Sequence, residues 1–452
     1  MTPSRFLLLS LAALALAPSA NAQPADAAAL EKLLAARLEA EGSPTCVLAG
    51  FAGERHFFAK ACTPGASAPT LVPEAWVEIG SVSKALTGLL AAQMAGKGEL
   101  DIEAAAASLA PPGAKLPSRG ESPILVRHLL SHASGLPRMP ADFKPTDMAN
   151  PYATYGREAL YASLAATSLA RAPGEAIDYS NLGFMWLSEL LGRKAGSSYD
   201  RLMAERLFAP LDLKDISARA GSPAGAKLAQ GHDLARKPVP PWDLPPEVAG
   251  VGGIRATSVE MLKLAESMAG LRPGPLDGAI ARSLGVLKAR PGGGIAWGWV
   301  VMERPGGTVY WHNGGTGGMH TMLAFSPDRR RAAWMVVDNP LSLDDLALHL
   351  VDPSIPVKKK REAIDLGEAA LEEVVGRYEI APGFAIAFTR EGTRLYTQAT
   401  GQPRFEAFAE AKDRFFLRAF DAQMHFRRDE AGRITGFVLR QGGRETPARR
   451  LP

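Results

Sequence analysis

Gly80-Ser81-Val82-Ser83-Lys84 joins a strand-like segment to a helix-like one. A short β-type run, Trp76-Val77-Glu78-Ile79, leads into it, and a helix-forming run from Ala85 to Met94 leads out. Residues three apart share one face of a helix, so Ser81 and Lys84 stand one above the other on the first turn. A serine hydroxyl needs a nearby base to act as a nucleophile at neutral pH. A lysine is that base only when burial or neighbours lower its pKa. The positive end of the helix dipole acts in the same sense, against a protonated amine and in favour of a developing oxyanion. The plain alternative is a solvated Ser/Lys pair at a helix start, because so short a motif also arises by chance. It occurs once in this chain.

The flanks decide between the two readings. Ile79-Gly80-Ser81-Val82-Ser83-Lys84 resembles the nucleophile motif of class C β-lactamases and their D-alanyl-D-alanine carboxypeptidase and esterase relatives. Those relatives usually carry an aromatic residue where this chain has Val77. Further along, Tyr179-Ser180-Asn181 is the only Tyr-x-Asn and resembles the second motif of that family. By itself it reads as a helix-start Asn beside a half-buried Tyr. His312-Asn313-Gly314-Gly315 resembles the third motif, usually Lys-Thr-Gly. By itself it reads as a Gly-rich hairpin turn, whose glycines let a ligand approach the strand edge. Lys194-Ala195-Gly196 also fits the third pattern but ends a helix, where Gly is the expected cap. Between the first two motifs, Ile124 to Pro137 is again similar to the family. It holds His128 and His132, four apart, without the Glu of a His-Glu-x-x-His metal site, so packing and hydrogen bonding are their expected roles.

Outward from these motifs, bulk properties bound the rest. The chain has 452 residues, 46% of them hydrophobic, enough for one large domain and an accessory. A formal charge of +4 is small and dispersed, apart from Lys358-Lys359-Lys360-Arg361, and makes no case for nucleic acid. Arg5, the apolar run Phe6 to Ala17 and Ala20-Asn21-Ala22 read as a signal peptide cleaved after Ala22, which implies a secreted or periplasmic protein with no integral membrane span. Cys46 and Cys62 flank two β-type runs and are equidistant from Glu54. A hairpin folded there sets them opposite each other, and an exported setting permits the bridge. Two buried thiols are the alternative.

Helical spacing marks Ala25 to Glu41, Tyr155 to Arg171, the run from Asn181 to Leu191, Ser258 to Ala269 and Leu343 to Leu350. Strand patterns cover Trp297 to Met302, Thr308 to Trp311, His320 to Phe325 and Arg331 to Val337. After a linker at 353–367, the segment 368–452 alternates like a β-meander of about eight short strands, which predicts a small barrel. It resembles the lipocalin-like domain that follows the catalytic domain in some relatives. The expected divisions are 1–22 signal peptide, 23–352 hydrolase, 353–367 linker and 368–452 β-barrel.

For residues from Leu33 to Leu350 the resemblance implies an α+β fold of serine β-lactamase type: an antiparallel sheet flanked by helices, with an inserted helical region. It implies Ser81 as nucleophile, with Lys84 and Tyr179 in proton transfer. It puts the backbone N–H groups of Ser81 and Gly315 in the oxyanion hole, beside Asn313 and Gly314. Asn181 would bind the substrate's amide, and His312 would face its carboxylate. A histidine of ordinary pKa, about 6.5, would make that contact fade between about pH 5 and pH 8. No cofactor and no metal are implied. The substrate is a β-lactam, a D-Ala-D-Ala-type peptide or an ester, and three readings stay open. They are a peptidase or β-lactamase, a carboxylesterase, and a penicillin-binding sensor or scaffold that never turns over. The partner of the β domain is not read from the sequence. A sugar- or lipid-binding role for it is a further alternative.

Overall fold

A computed structural model describes residues 23–221, 223–359, 361–381, 384–400, 404–418, 422–441 and 444–451. The expected signal peptide, 1–22, lies outside them. Among the described residues no helix is long and apolar enough to cross a membrane.

The centre of the larger part is an eight-stranded antiparallel sheet. Its order is His56–Cys62, Cys46–Ala52, Arg331–Val337, His320–Ser326, Val309–Gly315, Val300–Met302, Gly293–Ile295, Lys288–Arg290. Both faces are covered, which explains why its central strands read as nearly continuous apolar runs. Side chains alternate between faces. In Arg331–Val337, Trp334 and Val336 join the main core, while Met335 and Val337 face the other way. That second face is closed by Leu30, Leu34 and Leu38 of the Ala27–Leu38 helix and by Leu346 and Leu350 of Asp344–Val351. The main core holds the Val82–Gly96 and Ser258–Met268 helices and the helical region around Asn181–Ala195.

The first hairpin pairs Cys46 with Cys62 in register, and their sulfurs are bonded. Two strands of the main sheet, Lys288–Arg290 and Gly293–Ile295, have no apolar alternation in the sequence. Each is three residues long, and they flank the Pro291-Gly292 turn.

Strands from Gly376 to Arg450 close an eight-stranded antiparallel barrel. The Gly367–Val374 helix precedes it and begins inside the stretch expected to be linker. Leu371 and Val374 of that helix join the barrel core, and the Tyr378 hydroxyl donates to Val374 O at 2.9 Å. The rings of Tyr378, Phe388, Phe426 and Phe437 meet with centroids 5.1–5.5 Å apart, so aromatic side chains fill the interior. The last strand, Arg444–Arg450, escaped the sequence pattern because it is charged and contains Pro447, which sits opposite Val438.

Candidate active site

The Ser81 turn is clasped between two elements. Trp76–Glu78 pairs with Arg255–Thr257, and Ile79 N–H donates to Ile254 O at 3.1 Å. Gly80 then takes a positive φ of 51°, and a Cβ there would lie 2.8 Å from Gly315 N. On the facing strand, a Cβ on Gly314 would lie 2.1 Å from Ile79 O, and the Thr321 hydroxyl donates to that same oxygen at 2.9 Å. Two glycines thus let the Ser81 turn and the Val309–Gly315 strand approach backbone to backbone. Gly315 itself faces open space and lines a cavity of about 580 Å³ with Ser81. A larger cavity of about 830 Å³, lined by Arg55 and Arg329 to Arg331, contains none of the three sequence motifs.

Lys84 is fully buried, with Nζ 3.0 Å from Ser81 Oγ. The amine donates to Val251 O at 2.6 Å. Among the described residues no carboxylate pairs with it. Burial, and secondarily the charge of Arg138, holds its pKa well below the ordinary lysine value. Tyr179 lies beside both: Lys84 Nζ is 5.0 Å from its ring centre, and its hydroxyl is near enough to Ser81 to be influenced by it. Burial pushes the phenol up to about 12, against the smaller effect of Ser81, so at neutral pH it keeps its proton.

His132 holds the Tyr179 turn from behind. Its carbonyl accepts from Asp178 N–H at 2.8 Å, and its Nδ1 accepts from Ser180 N–H at 3.1 Å. Its ring packs 4.4 Å from that of Tyr179. Its φ is 56°, a left-handed conformation that costs a non-glycine residue energy. Ser180 completes the tie: its hydroxyl donates to Pro137 O at 2.7 Å and caps the Asn181–Ala195 helix through Gly183 N–H at 2.9 Å. The sequence marked His132 only for packing and hydrogen bonds; the positioning of Tyr179 is what those bonds do.

His312 differs from the expectation. It sits on the strand beside Lys84 and Tyr179, but its ring is buried and does not line the cavity. Nδ1 bonds to Asn313 O at 2.6 Å. Burial, then Lys84, pushes its pKa down to about 3. The imidazole is therefore neutral from pH 5 to pH 8 and supplies no charge whose loss would set a pH-dependent carboxylate preference. On the same wall, Asp344 accepts from Asn313 Nδ2 at 2.7 Å and contacts His320 Nε2 at 2.6 Å.

Asn181, Arg138, Tyr152 and Trp242 also line the cavity, Trp242 beside Gly317. Asn181 lines the cavity, its Nδ2 donates to Met139 Sδ at 3.2 Å, and its Oδ1 is buried with no partner among the described residues. Glu78 supports the floor: it accepts from Trp242 N–H at 2.7 Å and from the Thr316 hydroxyl at 3.3 Å, and burial pushes its carboxyl up to about 7. Arg138, Tyr152 and Trp242 carry no local signature; the first two share the long connection 131–156 and Trp242 comes from another loop, which the tertiary fold brings beside it.

The family model described as Beta-lactamase matches residues 30–349, and one described as a domain of unknown function (DUF3471) matches 360–449. The chain is 26% identical over 281 residues to the D-alanyl-D-alanine-carboxypeptidase/endopeptidase AmpH of Escherichia coli K12, covering 58% of this chain and 70% of that one. It is 25% identical over 409 residues to penicillin-binding protein 4* of Bacillus subtilis, covering 82% and 86%. Among solved structures, the octameric penicillin-binding protein homologue from Pyrococcus abyssi superposes with a TM-score of 0.60 at 16% identity, over 94% of this chain and all of that one.

Proposed function

The chain belongs to the Beta-lactamase family, and from that premise we propose that it is an exported serine hydrolase that cleaves amide or ester bonds through an acyl-enzyme on Ser81. The observation that carries the reading is the buried amine of Lys84, 3.0 Å from Ser81 Oγ and without a carboxylate partner among the described residues. A neutral amine has a lone pair for the serine proton.

As Ser81 Oγ bonds to the substrate carbonyl carbon, its proton passes to Lys84 Nζ. The carbonyl π pair moves to oxygen, where the N–H groups of Ser81 and Gly315 receive the charge. The bond to the leaving group then breaks. Tyr179 gives its hydroxyl proton to the leaving atom and is reprotonated by Lys84, a route that suits a phenol held near 12. Water repeats the sequence on the acyl-enzyme. Asn181, which lines the cavity, binds the substrate's amide. Export is supported by the leader sequence and by the bonded Cys46–Cys62 pair, which fits an oxidising compartment.

D-Ala-D-Ala-type peptides are the proposed substrates, by likeness to the E. coli relative. One observation favours a carboxylesterase as second reading: where the family usually has a charged lysine, His312 is neutral and Asp344 lies close by. A ligand-binding role inside the barrel has no such support, since aromatic rings occupy its interior. An N-acetylated D-Ala-D-Ala peptide, nitrocefin and p-nitrophenyl acetate, assayed side by side, separate the readings. Release of D-Ala is expected. Ester cleavage alone moves the assignment to esterase, one-to-one penicillin labelling without turnover to a sensor, and no reaction with any of the three overturns the reading.

A further inference from the structure

The cavity is electrically one-sided. Arg138 is the only permanently charged side chain among the described residues that line it. It is exposed and makes no ion pair among the described residues. Its guanidinium carbon lies 4.9 Å from the Tyr179 ring centre, and its carbonyl accepts from Asn181 N–H at 2.9 Å. The cation is thus anchored to the backbone of the residue assigned to the substrate's amide, with Tyr152 and Trp242 beside it. Asn313 and His320, which also line the cavity, are both engaged by Asp344, which lies outside the lining, so that carboxylate is already taken.

We propose that Arg138 is a specificity-determining residue, selecting substrates whose acyl part carries an anionic group, a carboxylate in the first instance, just beyond the amide held by Asn181. This rests on Ser81 chemistry with Asn181 on the acyl side. A guanidinium without a competing acid is free to form a charge-assisted, bidentate contact. Its cation–π placement over Tyr179 holds it at the cavity mouth. Because the site is open to solvent, the preference is expected to be about 3- to 10-fold, between an exposed ion pair and a desolvated one.

Three penicillins that share a nucleus and differ at one side-chain carbon provide the test: carbenicillin (carboxylate), benzylpenicillin (neutral) and ampicillin (ammonium). Second-order acylation rates of the full chain should fall in that order. In Arg138→Gln the carbenicillin-to-benzylpenicillin ratio should drop to about one, in Arg138→Glu it should invert, and Arg138→Lys should restore part of it. The ratio cancels any effect of Arg138 on Lys84 or Tyr179. An unchanged ratio in Arg138→Gln overturns the proposal, and an equal fall for all three penicillins does so as well, because it would put Arg138 on the nucleus carboxylate they share. Should penicillins not acylate the protein, mono(p-nitrophenyl) adipate against p-nitrophenyl hexanoate applies the same comparison. Absence of all acylation would instead mark failure of the Ser81 reading.

Discussion

Lys84→Met should lower the acylation rate by about 10²- to 10⁴-fold, the usual contribution of a positioned base, while the protein melts at a higher temperature. Both effects follow from one fact: the amine is fully buried without a carboxylate partner among the described residues. Folding must strip the proton or bury the charge, and methionine of similar volume requires neither. Val251 O loses its donor in the variant, which offsets part of the gain. A net stabilisation of about 1–2 kcal/mol is expected, typical where function is held at the cost of stability. The pH dependence has a definite sign. In the unfolded chain the amine is protonated below about 10.5, and in the folded chain it is neutral to much lower pH. Folding releases a proton in that window, so the cost of burial shrinks as pH rises toward 10.5. The Lys84→Met gain should therefore be larger at pH 7 than at pH 10. Calorimetry across that range, with penicillin-labelling kinetics, checks both halves. Wild-type acylation in Lys84→Met would place the base elsewhere.

Neighbouring glycines should respond in opposite ways. In Gly314→Ala the new methyl falls 2.1 Å from Ile79 O and 2.5 Å from Thr321 Oγ1. The first of these is backbone, so the strand and the nucleophile turn must separate. Overpacking of that kind costs about 1–3 kcal/mol or more. Moving Gly315 N–H away from the oxyanion position removes about another 10²- to 10³-fold in kcat. In Gly315→Ala the methyl meets nothing within 4 Å, so the variant should fold like the wild type. Melting temperatures and kcat for the pair give the answer, and equal melting would refute the close-approach account.

What the sequence made legible was local. Ser81 and Lys84 share a helix face by spacing alone, and the Cys46–Cys62 register follows from the symmetry of one hairpin about Glu54. Tyr179 was marked only by the resemblance of Tyr179-Ser180-Asn181 to the family's second motif; by itself that stretch reads as a helix start. The charge state of His312 was not legible, because it depends on burial and on Lys84, which sequence spacing does not report. Arg138, Trp242 and Asp344 reach the site from loops and a helix start far apart in the chain. The same limit hid Lys288–Arg290 and Arg444–Arg450, strands fixed by pairing with neighbours rather than by their own composition.

Ser81 is expected to become acylated. The most direct measurement is intact-mass and peptide-level mass spectrometry of the protein after exposure to benzylpenicillin and to a fluorophosphonate, beside Ser81→Ala. The account predicts one adduct per chain, located on the peptide that carries Ser81 and missing from the folded Ser81→Ala protein. An adduct that persists in that variant, or that maps to another residue, would contradict it.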